Sequence, residues 1–281
     1  MKLMLDGKNK TFVVVIPVLN QHETTERLME TWFSRAKSQV SVLFIDNASD
    51  EPLADQKFLK RWQREHDICV LRNEHNIGVY PTLQQGFEHT TDSRFIFYAH
   101  NDVEMLEYGW DEKLTCILKH LLSRKSPGVC GMFGAIGLGT KDIYQAPYDY
   151  RQLMRWGCYS VNSMAGAGAE KIKNVYKRVL VLDGFSLIVN RYMVHSHFGG
   201  KFDYLRYPVH HMYDQDVCLD SHYSGYENYV VDIDCIHHGG VTSTNEKWAE
   251  KMGTTDLKIH RQAHVVMYEK FRNRLPAYIS S

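Results

Sequence analysis

Residues 95–104 read FIFYAHNDVE, five apolar or aromatic residues running straight into His100, Asn101, Asp102 and Glu104. A short apolar run bounded by polar residues is the pattern of a strand buried on both faces. Open α/β sheets bind ligands in the crevice outside the carboxyl ends of their strands, so this reading puts Asp102 in a site. The plainer alternative is that Asp102 caps a following turn; three further strands that end in the same way favour the site.

Upstream, TFVVVIPVLN at 11–20 is a β-rich run stopped by Pro17, and after a polar opening Leu28, Met29, Trp32 and Phe33 recur at helical spacing. That predicts strand, loop and helix. VSVLFI at 40–45 is the second strand and ends on Asp46, Asn47, Ala48, Ser49 and Asp50. The 58–65 stretch reads as a helix and 68–71 as a third strand, which stops at RNEHNIGVYP. Gly78 there is free to take positive φ or to let a ligand approach the backbone. A helix over 82–90 leads into the fourth strand, 94–99. Four strands separated by helices within about 100 residues predict a parallel, Rossmann-like sheet. No GxGxxG follows the first strand, which argues against a dinucleotide oxidoreductase.

Downstream, the periodicity predicts a helix over 111–122 and a strand over 128–135, then an irregular segment, 136–169, of the kind that forms functional loops. VLVLDGFSLIV at 179–189 is apolar on both sides of Asp183 and Gly184, so two strands or one bent strand meet there. A helix should start near Asp214 and stop at Gly225. A strand over 229–233, a polar turn IHHGG at 236–240 and a terminal helix over 256–274 complete the chain.

With 281 residues, 44% hydrophobic and 23% charged, the chain has the balance of a soluble globular protein with one sizeable core. Lys plus Arg number 33 and Asp plus Glu 33, so no net field draws it to nucleic acid or an anionic membrane. Six scattered cysteines form no CxxC pair, and a reducing, cytoplasmic setting is expected, with visits to a membrane surface left open. MKLMLDGKNK at 1–10 is too short and polar for a secretory signal, and no window is apolar for long enough to span a bilayer.

Asp46 closes the second strand. Facing a crevice, its carboxylate can accept from N3–H of uracil or thymine, or from N1–H and the exocyclic amine of guanine; facing the chain, it builds an Asx-turn. Pro17 and Asn20 after the first strand, and Asn76 and Gly78 after the third, would flank the same pocket and together favour a nucleotide. Asp102 suits a different task, because a diphosphate leaving group is neutralised by a divalent cation bound to one or two carboxylates. Glu104 returns to the same face two residues on, and a neutral imidazole at His100 would favour Mn2+ over Mg2+. His237 and His238, which precede two glycines, are candidate ligands ahead of His210 and His211. Asp214 and Asp216 start a helix, where the dipole stabilises negative charge; each either caps the helix or serves as a general base ionised at neutral pH.

Taken in order, VVVIPVLN (13–20), FIDNASD (44–50), NIGVYPTLQQGF (76–87), YAHNDVEM (98–105), VLDGFSLIVNR (181–191), YDQDVCL (213–219) with GYENY (225–229), and IHHGG (236–240) resemble the inverting family 2 glycosyltransferases of the GT-A fold. The resemblance is strongest to the branch whose late motif reads Tyr-Asp-x-Asp, and it spans residues 12–245. It implies an α/β GT-A domain with a mostly parallel, Rossmann-like sheet flanked by helices. Within that single domain, 11–105 would bind the nucleotide sugar, 106–245 would bind the acceptor and carry catalysis, and 246–281 would form a helical tail. Residue by residue, the resemblance implies Asp46 as the base-binding aspartate and Pro17, Val18 and Asn20 as the first nucleotide loop; by their place after the strands, Asn76, Gly78 and Asn101 are the further nucleotide-site candidates. It further implies Asp102 as the metal-holding last acid of the DxD triplet, His237 as the histidine that completes the metal shell, and Asp183 and Gly184 as the donor–acceptor junction. Counting back eleven residues from Gly225 places Asp214 on the position of the family's catalytic aspartate, so the resemblance implies Asp214 as the base, with Asp216 on the acid two residues on. His100 departs from the family's first triplet Asp, and Tyr213 stands where Glu is common.

The activity this implies is inverting transfer of a sugar from a UDP-, dTDP- or GDP-sugar to a hydroxyl of a glycan, lipid-linked or small acceptor, assisted by Mn2+ or Mg2+. One alternative is a non-catalytic sugar-nucleotide or glycan-binding module on the same fold, against which the presence of Asp214 argues. Another is a sugar nucleotidyltransferase, which would want a Gly-rich loop with Arg and Lys after the first strand, where PVLNQHETT stands. Acceptor choice is expected in the 136–169 segment, where Tyr144, Tyr148, Tyr150, Trp156 and Tyr159 can stack on rings.

Overall fold

Apolar residues at consecutive positions force the first strands into the interior. The computed structural model describes residues 5–6, 10–91, 93–139, 154–166, 168–207, 210–239, 247, 249–250 and 253–280. In chain order, β1 (Phe12–Val18), α1 (His22–Arg35), β2 (Ser41–Asp46), α2 (Lys57–Trp62), β3 (Asp67–Arg72), α3 (Val79–His89) and β4 (Phe95–Ala99) form the predicted alternation. These four strands pair in parallel, with Val14 opposite both Val42 and Phe97, and Val42 opposite Ile68. Their carboxyl ends therefore share one edge.

Then come β5 (Val103–Met105), α4 (Trp110–Arg124), β6 (Pro127–Gly131), β7 (Phe133–Gly139), β8 (Met154–Ser160), β9 (Tyr176–Val179), β10 (Val181–Leu182), β11 (Ser186–Asn190), α5 (Arg191–His197), α6 (Tyr213–Tyr223), β12 (Glu227–Val231), β13 (Cys235–His237), α7 (Asp256–Phe271) and β14 (Ala277–Tyr278). Eight strands form the central sheet in the order β9-β12-β6-β11-β4-β1-β2-β3. β11 enters antiparallel between β4 and β6, so the sheet is parallel on one side and mixed on the other. A second sheet places β8, β7 and β10 side by side, with β14 also paired to β7.

Helices cover both faces of the central sheet, which is why its strands read as unbroken apolar runs. β1 sends Val13 and Val15 to one face, where they join Leu83 of α3, Val217 of α6 and Met267 of α7. Val14 and Ile16 go to the other face, against Trp32 of α1 and Leu118 of α4. This α/β architecture, a large central sheet flanked by helices, is the one expected.

Three local expectations are corrected. The single strand over 128–135 is two, because a side chain at Gly131 would collide with the Ser186 carbonyl oxygen, and Met132 N–H donates to Ser186 Oγ at 3.0 Å. The chain leaves the central sheet there and enters the second. The 136–169 segment is partly regular, since β7 runs to Gly139 and pairs antiparallel with β8; the Trp156 ring lies against Gly137, where it takes the place of a side chain and masks the alternation. Residues 140–153, with Tyr144, Tyr148 and Tyr150, lie outside the described residues. Finally, the IHHGG turn begins inside β13, which pairs antiparallel with β5; three-residue strands are too short to show a period.

Gly86 of α3 lies directly on the sheet. A Cβ there would sit 2.8 Å from Tyr98 Cε1 and Val15 Cγ1, so Gly86→Ala is expected to destabilise the fold by about 1–3 kcal/mol through overpacking, read as a lower urea midpoint at unchanged m-value.

Candidate active site

β4 delivers His100, Asn101 and Asp102 at its carboxyl end, and the chain then pairs with β13, with His237 opposite Val103 and Ile236 opposite Glu104. This short ladder brings residues 134 positions apart into one group. His100, Asp102 and His237 each offer a ligand atom within 4.8 Å of the others. His237 Nε2 lies 3.3 Å from Asp102 Oδ1, a distance without hydrogen-bond alignment, so among the described residues Oδ1 is buried with no hydrogen-bond partner. His238 pairs instead with Glu104, at 2.9 Å.

Burial pushes the His100 imidazole towards its neutral form, and the neighbouring His237 pushes the same way. Burial alone would raise the Asp102 carboxyl, but His237 and His100 outweigh it and hold Asp102 below the usual carboxylate range. A buried, ionised carboxylate oxygen with no donor, flanked by imidazoles, fits a divalent ion. Two nitrogens and one oxygen suit Mn2+ better than Mg2+.

The turn between β10 and β11 joins this group to Asp214. Phe185 O accepts from His100 N–H at 3.0 Å, and the Phe185 ring stacks on His237 with centroids 4.6 Å apart. One residue earlier, Gly184 N–H donates to Asp214 Oδ2 at 3.0 Å. The Tyr213 hydroxyl donates to Gly184 O at 3.2 Å and lies 2.9 Å from His100 Nε2. A side chain at residue 184 would collide with that hydroxyl, so the close approach requires glycine.

Asp214 sits in the first turn of α6 and is almost wholly buried. Its Oδ1 accepts from Gln215 N–H at 2.9 Å, and Oδ2 also receives Gln215 Nε2 at 3.2 Å and Arg155 Nη2 at 3.3 Å. Burial pushes the Asp214 carboxyl up to about 6, with Asp183 adding to the rise and Arg155 opposing it. Asp183 is only half-buried; what burial it has would raise its carboxyl, but Arg155 Nη1 at 2.8 Å holds it below the usual range.

Asp216 faces the other way. It is fully buried and accepts from Tyr80 Oη at 2.6 Å, Tyr207 Oη at 2.6 Å and Lys270 Nζ at 2.8 Å. Lys270, on α7, also reaches Asp220 at 2.5 Å and Asp203 at 3.2 Å. Asp216 thus fastens α6 to α3 and α7.

The remaining site candidates line the shared edge of β1–β4. Asp46 is fully buried, with Oδ1 accepting from Ser49 N–H at 2.8 Å and Oδ2 from Leu53 N–H at 2.9 Å and Arg72 Nη1 at 2.5 Å. Burial would raise its pKa, but these donors keep the carboxyl low. Pro17 lies within β1, and Val18 O accepts from Asn47 N–H at 2.7 Å. Asn20, at φ 55°, accepts from Asp50 N–H at 2.8 Å and thereby ties the first loop to the loop after β2. Asn76 Oδ1 receives Asn47 Nδ2 at 2.6 Å and Gly78 N–H at 2.9 Å, and Gly78, at φ 89°, precedes α3. Asn101 donates to Thr25 Oγ1 at 3.2 Å.

Sequence reading missed Arg155, Phe185, Tyr80 and Lys270. Arg155 lies 28 residues from Asp183 and 59 from Asp214, and no local pattern marks it.

Residues 13–169 match the family model described as glycosyl transferase family 2. No curated protein matches the chain in sequence. Among solved structures, GalNAc-T7 with UDP, GalNAc and Mn2+ superposes with a TM-score of 0.55 at 14% identity, over 79% of this chain and 42% of that one. A mannosyltransferase from Pyrobaculum calidifontis, PcManGT with GDP-Man and Mn2+, gives 0.53 at 13% identity over 98% and 73%. S. aureus TarS, residues 1–349 with UDP-GlcNAc, gives 0.51 at 13% over 86% and 64%. The chain thus spans less than half of the first and under two thirds of the third, and these likenesses are of fold. The family match ends before Asp183, Asp214 and His237.

Asp216→Ala would leave two tyrosine hydroxyls and a lysine without their buried acceptor. It is expected to cost about 3–5 kcal/mol, the range for breaking a buried ion pair from one side, measured by chemical denaturation.

Proposed function

The chain belongs to glycosyl transferase family 2, and from that premise we propose that it transfers a sugar, with inversion, from a nucleoside diphosphate to an acceptor hydroxyl, as a member of the branch with a late Tyr-Asp-x-Asp motif. The observation that carries this reading is the turn at Asp183, Gly184 and Phe185, which contacts Asp214 on one side and His100 and His237 on the other. A proton acceptor and a candidate divalent-ion group therefore flank one junction, as attack at an anomeric carbon opposite a departing diphosphate requires.

In this reading His100, Asp102 and His237 would hold the divalent ion, which neutralises charge on the leaving diphosphate. The residues after β1–β4 receive the nucleotide. In this reading the loop with Pro17, Val18 and Asn20 lies centrally, between Asn101 after β4 on one side and Asn76 and Gly78 after β3 on the other. Asp46, with both oxygens engaged, serves the base site by fixing the loop over 47–53. The structures similar in fold were solved with UDP, GDP-Man or UDP-GlcNAc, which makes uridine and guanosine diphosphate sugars the first donors to test.

Asp214 takes the proton from the acceptor hydroxyl as its oxygen attacks. A base that titrates at about 6 is ionised at neutral pH yet retains proton affinity near the working pH, the condition for efficient general-base catalysis. The donor half is 11–105, the acceptor and catalytic half 106–245 and the tail 246–281. Tyr80, in the first, already reaches Asp216 in the second. No described helix is long and apolar enough to cross a membrane. The six cysteines are free, in keeping with a reducing cytoplasm.

Asp214→Asn should keep the fold and donor affinity and lower turnover by about 10² to 10⁴, the usual contribution of a general base; unchanged turnover would remove Asp214 from the mechanism. Because only the ionised carboxylate accepts a proton, the wild-type rate should rise with pH through about 6 and fall away below it, measured as kcat against pH. Manganese binding followed by electron paramagnetic resonance should weaken in His237→Ala, both with and without UDP.

A further inference from the structure

One guanidinium lies between the two carboxylates at the centre of the site. Arg155 donates Nη1 to Asp183 Oδ2 at 2.8 Å, and its Nη2 lies 3.3 Å from Asp214 Oδ2. We propose that Arg155 is a positioning residue whose two-pronged bridge ties Asp214 to Asp183 and fixes the Asp214 carboxylate at the junction between the acceptor and the His100, Asp102 and His237 group. This rests on the reading of Asp214 as the base.

The other partners of Asp214 come from two elements and carry no charge. Gly184 N–H and both nitrogens of Gln215 hold it from the β10–β11 turn and from its own helix. Arg155 approaches from β8, a third element, and adds the charged donor that links this carboxylate to Asp183. A lysine could not do the same, because an ammonium is a point charge and lacks the rigid fork that spans two acceptors.

The charge balance points the same way. Asp183 and Arg155 face Asp214 from neighbouring elements, while Tyr213, Asp216 and Cys218 are the titratable groups near it on its own helix. The charge on half-buried Asp183 pushes Asp214 towards its protonated form, and Arg155 opposes that push. Arg155 thus keeps the base ionised without itself exchanging a proton. In the transfer step the proton passes from the acceptor hydroxyl to Asp214, the new bond forms at the anomeric carbon, and the nucleoside diphosphate leaves with the bonding pair.

The test follows the Asp214 carboxyl directly, by 13C NMR of aspartate-labelled protein without substrate, with the resonance assigned from Asp214→Asn. The midpoint, about 6 in the wild type, should rise by about one pH unit or more in Arg155→Gln, as expected on losing an opposite charge at this distance. It should stay near the wild-type value in Arg155→Lys and fall in Asp183→Asn. With whichever UDP-, dTDP- or GDP-sugar supports turnover, the acid limb of kcat should move with the midpoint in Arg155→Gln. Arg155→Lys should lower kcat with donor KM unchanged. An Asp214 midpoint that does not move in Arg155→Gln overturns the proposal, as does a wild-type kcat in Arg155→Lys. If Arg155→Gln does not fold, Asp183→Asn decides, and an unmoved midpoint there overturns it. Normal turnover by Asp214→Asn removes the base reading, and the proposal with it, even where the titrations are coupled; that pattern tells the two failures apart.

Discussion

The contact on which the site depends involves a missing side chain. Any Cβ at residue 184 would collide with the Tyr213 hydroxyl, so only glycine lets the first turn of α6 lie against the turn between β10 and β11. Both halves of the chemistry are set by that approach. On one side Gly184 N–H reaches Asp214; on the other, Gly184 O and His100 share the Tyr213 hydroxyl. Moving α6 outward by the width of a methyl group would loosen the hold on Asp214 and on His100 together.

Much of this was legible in the sequence because burial on two faces leaves a mark. The strands from Phe12 to Ala99 read as apolar runs since helices cover both sides of the sheet, and Asp102 stood out as polar at the end of such a run. At Asp46 the same motif supported a base contact and an Asx-turn, and the structure shows the carboxylate bound to the turn and to Arg72. Asp214 and Asp216 could be said to diverge by roughly 200° on a helix. Which one turned away from the β10–β11 turn depended on partners that include Tyr80 and Lys270, 136 and 54 residues from Asp216. The pairing of β5 with β13 involves only three residues on each side, too few for any period to show, yet it alone brings His237 to Asp102.

Charge is arranged alike on the two sides of α6. Towards β8 and the β10–β11 turn, Asp183 and Asp214 share Arg155; towards α7, Asp203, Asp216 and Asp220 share Lys270. In each cluster carboxylates outnumber the cation, and one acid is pushed up to about 6, Asp214 in the first and Asp220 in the second. Buried ion pairs contribute little net stability because desolvation offsets their attraction. What they fix here is geometry, since a helix held by directed charges on opposite sides has little freedom to rotate about its axis.

The Lys270 cluster also bears on how the protein is made. Asp203, Asp216 and Asp220 leave the ribosome well before Lys270, which follows Asp216 by 54 residues. Until that lysine emerges, these three acids lack the counter-charge they share in the folded protein, and α6 lacks its clamp to α7. β14, later still, pairs with β7 through Ala277 and Leu138. Chains of this size tend to fold segment by segment from the amino terminus during synthesis, so the first four strands can assemble while translation continues. Helix α6 gains its Lys270 contacts only after those strands are out, and a nascent chain stalled before Lys270 would hold the parallel strands without the clamp that fixes α6 against α7.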